Sequence, residues 1–359
     1  MSRIEQFRSK LAEMGLEGFV LYNYESSNKS SSWYLSDFSG SFSVLVVSPV
    51  GEYIITDSRY YTQASIETGF KLIPYKSGDE LKDLISNILK NDGAGKVGFE
   101  EDTISHGLYK RVFENLGVEL FPADVILKEM RMVKTPQEIE KIKSAVVVAE
   151  EALLETLNYI RPGKSEEDIA AILEHEIRTR GGYLAFDTIV GSGPRSAVVH
   201  GKPSDKKLRE GEFVLIDYGA RVDGYNSDIT RTFSLGSPSE EMIKVYEVVY
   251  EAQKAAKEAA RAGIIGSDLH EVAASIIRQA GYGEYFGHGL GHSLGMDTHD
   301  GSGGASPSNK NPIPAGAVIT IEPGIYLPEK FGVRIEDDLY FGEDKTEVLT
   351  NFDRELKIL

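Results

Sequence analysis

Apolar positions in the first third of the chain follow two periods. Ile4, Phe7, Leu11 and Met14 recur every three or four residues, as on one face of a helix, and Gly15 ends the run. Ser2 and Glu5 form a capping box at its start. Residues 18–22, 41–47 and 53–56 are short apolar runs that read as strands, the last two joined by Pro49-Val50-Gly51-Glu52. Helical spacing returns over 59–67, 79–90 and 104–116, with short strands near 71–74 and 97–99. The pattern predicts a mixed α/β domain over residues 1–126. Trp33, Tyr34 and the Ser/Asn-rich stretch before them read as an exposed loop.

Residues 127–359 alternate long helical patterns with strand pairs. Thr135, Pro136 and Glu138 mark a helix start, and that helix runs to about Tyr159. Ser165, the stretch Ser237-Pro238-Ser239-Glu240 and Ser267 open three more helices, which stop at Gly181, Gly263 and Gly281. Set without a gap, 161–181 matches 261–281 at six positions: Arg161, Gly163, Asp168, Ile177, Arg178 and Gly181 against Arg261, Gly263, Asp268, Ile277, Arg278 and Gly281. Each half then enters an apolar strand that ends on a carboxylate two residues before a glycine. Asp217 precedes Gly219, and Glu322 precedes Gly324. Each half returns on a strand carrying a second acid, Asp228 or Glu336. This predicts a duplicated domain of helix–helix–strand–strand halves about a pseudo-twofold axis. Asp223-Gly224 is a two-residue hairpin signal, which pairs 217 with 230 and puts 228 on the same face as 217. The longer connection in the second half leaves the register of Glu322 and Glu336 open.

Composition narrows the function. The 359 residues carry a net charge of -17 and no cysteine. A strongly acidic chain argues against nucleic-acid and anionic-membrane partners. Without cysteine there are no disulfides, zinc–thiolate sites or thiol nucleophiles. The sequence shows neither a signal peptide nor an apolar run approaching the ~20 residues of a membrane span, so a cytoplasmic protein is expected.

Taken singly, each of the four acids reads as a solvated strand-end carboxylate. Together they interrupt runs of Val, Ile, Leu and Phe, where an unpaired charge is costly, so they call for cations. Three of the seven histidines, His288, His292 and His299, lie in the glycine-rich stretch 287–300. His200 lies in a polar loop, and His106, His175 and His270 read as helix-surface residues. Carboxylates with one imidazole and no thiolate suit Mn, Co, Fe or Zn. Two such ions ~3.5–4 Å apart activate water and polarise a carbonyl, which is hydrolase chemistry.

At these residues the chain resembles the pita-bread metallopeptidases, and within them the aminopeptidase P and prolidase branch. Tyr34-Leu35-Ser36 and Asp57-Ser58-Arg59-Tyr60 resemble that branch's creatinase-like N-terminal domain. Phe186 to Gly193 and Val333-Arg334-Ile335-Glu336-Asp337 resemble its catalytic domain. The resemblance implies an α+β chain: a creatinase-like α/β domain over 1–126, then a duplicated pita-bread catalytic domain over 127–359. It implies two divalent ions per chain, with manganese first and Co, Zn or Fe as alternatives. Asp217 would chelate one ion, His292 and Glu322 the other, and Asp228 and Glu336 would bridge. Glu322 would act as general base, and His200 and His299 would bind or polarise the peptide around the scissile bond. His288 and Tyr326 would join the substrate pocket, and Arg334 would support the site by pairing with an acid. The expected substrate is a peptide with proline second, and the expected assembly is a homodimer. Ser293 and Asp300 depart from the branch, which commonly has Gly or Trp and Glu there. The implied activity is an Xaa-Pro aminopeptidase, with a dipeptidase as the alternative. A non-catalytic binding protein on the same fold and a metal-independent creatinase-like hydrolase are the rivals, and the complete ligand set counts against both.

Overall fold

A computed structural model describes residues 2–359, and the chain divides after Met130 into two units. The first unit is built on one mixed sheet. Its strands are β1 (Gly18–Tyr24), β2 (Phe42–Val47), β3 (Glu52–Thr56), β4 (Lys71–Pro74), β5 (Lys96–Phe99) and β6 (Glu119–Pro122), in the order β4-β3-β2-β1-β5-β6. Its helices are α1 (Arg3–Glu13), with the Ser2–Glu5 capping box formed, α2 (Lys29–Ser36), α3 (Tyr61–Glu67), α4 (Gly78–Asn91), α5 (His106–Leu108) and α6 (Asp124–Met132), the last running across the division. Leu81, Ile85 and Leu89, spaced for one helical face, pack with Val20, Val44, Val46 and Val97 of the sheet.

Two expectations fail in this unit. The Ser-rich stretch is a helix, not an exposed loop: Tyr34 is buried and its hydroxyl donates to Met130 O at 3.1 Å. The serines fit there because their hydroxyls bond locally, Ser36 to Ser32 O and Ser32 to Ser43, both at 2.7 Å. The single helix expected over 104–116 is instead α5 followed by a π-helical turn, Tyr109–Phe113. Asn115 and Gly117 then take left-handed conformations that end it.

In the second unit, α7 (Pro136–Thr156) and α8 (Glu166–Thr179) pack together, as do α9 (Glu240–Ala259) and α10 (Gly266–Gln279). Thr135 with Glu138 and Ser165 with Asp168 form capping boxes, and Ser239 caps α9. Ser267 does not cap α10. The helix starts two residues earlier than that cap would set it, with Ile265 at the cap position and Ser267 N donating to Asn309 O. The strands are β7 (Tyr183–Leu184), β8 (Ile189–Ser192), β9 (Glu212–Tyr218), β10 (Ala220–Val222), β11 (Tyr225–Asn226), β12 (Ile229–Leu235), β13 (Gly291–His292), β14 (Gly304–Ala305), β15 (Ala317–Ile321), β16 (Gly324–Leu327), β17 (Phe331–Arg334), β18 (Asp337–Phe341) and β19 (Thr346–Val348). Val245, Val249, Leu269 and Ile277 of the helices bury against Ile319, Ile321 and Leu339 of β15 and β18.

The two halves repeat in backbone detail. Gly163 and Gly263 are both left-handed and donate to Leu208 O and Ile313 O. Gly181 and Gly281, which end α8 and α10, are left-handed as well. Only glycine takes this conformation without strain, so matching glycines mark matching turns. Antiparallel β9–β12 and β15–β18 follow in the same order. His270 is not a surface residue. It is 8% exposed, three positions before buried Ala273, and its ring stacks on Phe286 at 5.4 Å.

Candidate metal centre

The first acidic pair is placed by a hairpin. Thr230 pairs with Asp217 across β9 and β12, and the turn at Asp223 and Gly224 has positive φ at both residues. Asp228 lies two residues from Thr230, so it shares a face with Asp217. Gly219 is required where the strands cross, since a Cβ there would sit 2.0 Å from Ser227 O. In the second half, Ile321 pairs with Asp337 and Gly324 with Arg334. The same register carried between these ladders sets Glu322 opposite Glu336. The nitrogen arrives on β13, where Gly291 lets the strand close on β15: a Cβ would meet Thr320 O at 1.7 Å.

Asp217, Asp228, His292, Glu322 and Glu336 line one cavity of about 570 Å³, together with His200, His288, His299 and Arg334. His292 Nε2 stands 3.5 Å from both Asp228 Oδ2 and Glu322 Oε1. Ligand atoms of Asp228, His292 and Glu336 all lie within 4.8 Å of one another. Tyr326 is one layer back: its hydroxyl meets His288 Nε2 at 3.0 Å and accepts from Arg334 Nη1 at 2.9 Å. Arg334 also donates to Asp217 Oδ2 at 2.5 Å and to Thr230 Oγ1 at 3.0 Å. His200 and His299 are exposed at the cavity, with His299 packed on His292 at 4.1 Å between ring centroids.

The electrostatics are those of a cation site. Burial, then Glu336 and Asp217, pushes Asp228 well above the carboxylate range. Burial, then Glu322 and Asp217, does the same to Glu336, and burial lifts Glu322 to about 8. Burial, then neighbouring His299, pulls His292 down to about 4, so its ring is neutral. His292 Nδ1 lies 3.3 Å from Ser293 O and donates its proton there, which leaves the Nε2 lone pair facing two carboxylates. A divalent cation between that lone pair and the two carboxyl groups would favour their ionised forms and use all three as donors. Asp217 Oδ1 is buried without a hydrogen-bond partner. Hard oxygen donors with one borderline nitrogen fit Mn, Co, Fe or Zn.

Three supporting residues were not anticipated from the sequence. Thr230 donates to Glu336 Oε2 at 2.6 Å, Thr320 donates to Glu322 Oε1 at 3.3 Å, and Asp338 Oδ2 accepts from the Asp228 amide at 3.0 Å. Thr230 is two residues from Asp228 and Thr320 two from Glu322, so strand alternation could have flagged both.

Two known families match the chain, one after the other. The profile of the creatinase/prolidase N-terminal domain matches residues 3–133, and that of metallopeptidase family M24 matches residues 140–343. An uncharacterised peptidase of Bacillus subtilis is 34% identical, over 99% of this chain and 100% of its own. An Xaa-Pro dipeptidase of Pyrococcus furiosus is 39% identical, over 85% of this chain and 89% of its own. The crystal structure of an X-Pro aminopeptidase from Thermotoga maritima superposes with a TM-score of 0.93 at 42% identity, covering 100% of both chains. No helix among the described residues is long and apolar enough to cross a membrane. With a creatinase-type N-terminal domain and a pita-bread catalytic domain that matches its relatives nearly end to end, the chain belongs to metallopeptidase family M24.

Proposed function

We propose that the protein is an exopeptidase with two divalent ions that releases the N-terminal residue from peptides whose second residue is proline. The observation that carries this is the neutral His292 Nε2 aimed at Asp228 and Glu322 in a cavity that also holds Asp217 and Glu336. Asp217 would hold one ion, His292 and Glu322 the other, and Asp228 and Glu336 both, with manganese the first choice. Such ions, when bound, polarise a carbonyl and make water nucleophilic near neutral pH. Glu322 takes the proton of the attacking water, held in place by the Thr320 hydroxyl. His200 and His299, at the open side of the cavity, orient the peptide and donate to the scissile group. His288 is kept neutral by burial, then by Arg334, and is pulled down to about 4. The Tyr326 hydroxyl, held by Arg334, backs it, and the neutral imidazole suits a proline ring. We further propose a homodimer working in the cytoplasm.

Dipeptidase activity is the second reading, favoured by similarity to Xaa-Pro dipeptidases of Pyrococcus furiosus and Pyrococcus horikoshii. The test uses EDTA-treated protein with and without Mn or Co. Its substrates are an Xaa-Pro dipeptide, an Xaa-Pro-Yaa tripeptide, a longer Xaa-Pro peptide and a Met-Ala-Ser peptide. Metal-dependent cleavage of the tripeptide and longer peptide supports the aminopeptidase, and cleavage of the dipeptide alone makes it a prolidase. Cleavage of Met-Ala-Ser alone, or of nothing, overturns both readings.

A further inference from the structure

A buried charge cluster beneath the site has no role in the chemistry above. Asp300, directly after His299, is 2% exposed. Its Oδ2 accepts from the Met296 amide at 2.7 Å, closing loop 296–300 on itself, and its Oδ1 lies 2.5 Å from Arg131 Nη2. Arg131 also bonds Asp297 on the same loop. Lys134 is 5% exposed, and its side chain runs so close to Gly295 that a Cβ there would meet Lys134 Cε at 3.1 Å and Asp300 Oδ2 at 2.0 Å. The segment holding these cations is itself fixed, since Lys134 N donates to Gly316 O at 2.8 Å, next to the start of β15. The far side of the loop is tied down too: Asn226 N donates to Gly295 O at 2.8 Å, two residues before Asp228.

Burying two cations around one buried carboxylate is a poor way to gain stability, because desolvation offsets most of the attraction. Such a cluster does fix geometry. Burial draws the Lys134 ammonium down to about 8 against the pull of Asp300, so its charge is held at a cost. The loop it grips carries His299, whose own side chain is exposed at the cavity and has no hydrogen bond that would set its position among the described residues.

We infer that Arg131, Lys134 and Asp300 are positioning residues that set His299 for the reaction. The inference rests on the proposed peptidase reading. A double-mutant cycle tests it with the full-length, metal-loaded protein: wild type, Asp300→Asn, His299→Ala and the pair, each read for kcat and KM on the Xaa-Pro-Yaa tripeptide. Asp300→Asn should lower kcat roughly 10- to 100-fold, the scale of a 1 Å misplacement, with KM changed less and metal stoichiometry retained. In the His299→Ala background the same change should cost less than about threefold, because the group it positions is gone. Equal fold-losses in both backgrounds, or no loss in the single variant, would overturn the inference. If Asp300→Asn does not fold, Lys134→Met carries the same cycle, since it removes a buried ammonium without opening a large cavity. A wild type that cleaves no Xaa-Pro peptide would defeat the peptidase reading itself, an outcome distinct from a cycle without coupling.

Discussion

Asp337→Asn should destabilise the second unit strongly, and the structure says by how much. Asp337 follows Glu336 and is fully buried. Its Oδ1 accepts from Arg231 Nη2 at 2.9 Å and Thr350 Oγ1 at 2.7 Å. Its Oδ2 accepts from Gln253 at 2.6 Å, Lys257 at 2.8 Å and Arg354. One carboxylate thus joins α9, β12, β18 and the segment around 350–354. Asparagine keeps the shape but removes the charge and turns one acceptor into a donor that faces donors. Arg231, 1% exposed, then has no anionic partner among those shown, whereas Lys257 and Arg354 are partly exposed and can relax outward. Removing one partner of a buried ion pair costs about 3–5 kcal/mol. For a unit of about 230 residues that corresponds to roughly 6–20 °C in Tm.

The assay is calorimetry at fixed protein and metal concentration, with far-UV circular dichroism alongside. Trp33, the sole tryptophan, lies in the first unit, so its fluorescence follows that unit separately. The pH dependence supplies a second check. Burial alone would raise the Asp337 pKa, but Arg231, Arg354 and Lys257 outweigh it and hold it well below the usual range. Its contribution is therefore complete above the unfolded value of ~3.9 and shrinks as pH falls below it. The gap between wild type and variant should be constant from pH 7 to about 5 and narrow in stronger acid. A Tm shift under about 2 °C at pH 7, or a gap that widens on acidification, would refute the reasoning.

Three further outcomes follow from the site. Glu322→Gln should cut turnover roughly 10²- to 10⁴-fold with the circular dichroism spectrum intact, and substantial activity in the metallated variant would remove Glu322 as base. Adding Mn to EDTA-treated protein should raise stability by ~2.7 kcal/mol at a hundred times Kd. It should also release protons, since Asp228, Glu322 and Glu336 are held above their ordinary pKa values. Binding heats independent of buffer ionisation enthalpy would contradict that. Gly291→Ala places a Cβ 1.7 Å from the Thr320 carbonyl, so β13 and His292 must shift, and a soluble variant with unchanged metal affinity would show the close approach to be dispensable.

How far the sequence reached depended on what set each contact. The Asp217 register was legible because Asp223-Gly224 announces its turn, and Thr230 does pair with Asp217. The second pair was not legible, although its geometry is as regular. β16 and β17 form their own hairpin, Leu327 pairing with Phe331 across Pro328-Glu329-Lys330. The left-handed residue in that turn is Glu329, at φ 63, where glycine or asparagine would have given the signal. The helix starts at Thr135 and Ser165 were written locally in their capping boxes. α2 was not, because a run of serines looks solvated until Ser43 and the helix carbonyls are present to take the hydroxyls. His270 was misjudged for a different reason: a lone histidine reads as polar, although it shares the buried face of its own helix with Leu269, Ala273 and Ile277, and Phe286, sixteen residues on, stacks on its ring.

The same distinction separates the acids of the site from the residues that support them. One carboxylate at a strand end reads as solvated, but four interrupting apolar runs are conspicuous, so Asp217, Asp228, Glu322 and Glu336 stood out together. Thr230, Thr320 and Asp338 are ordinary strand residues until the register brings each beside one of the four. Asp337 and Asp338 are adjacent acids, both fully buried, yet they meet opposite surroundings because strand alternation turns them to opposite faces. Three cations hold Asp337 ionised, while burial, together with the neighbouring Asp337 charge, raises Asp338 although it accepts the Asp228 amide. One strand therefore carries an anchor for the fold on one face and a brace for the site on the other. That arrangement makes a selective test possible, because Asp337→Asn should act on stability first, and Asp338→Asn, which keeps an acceptor for the Asp228 amide, should act less.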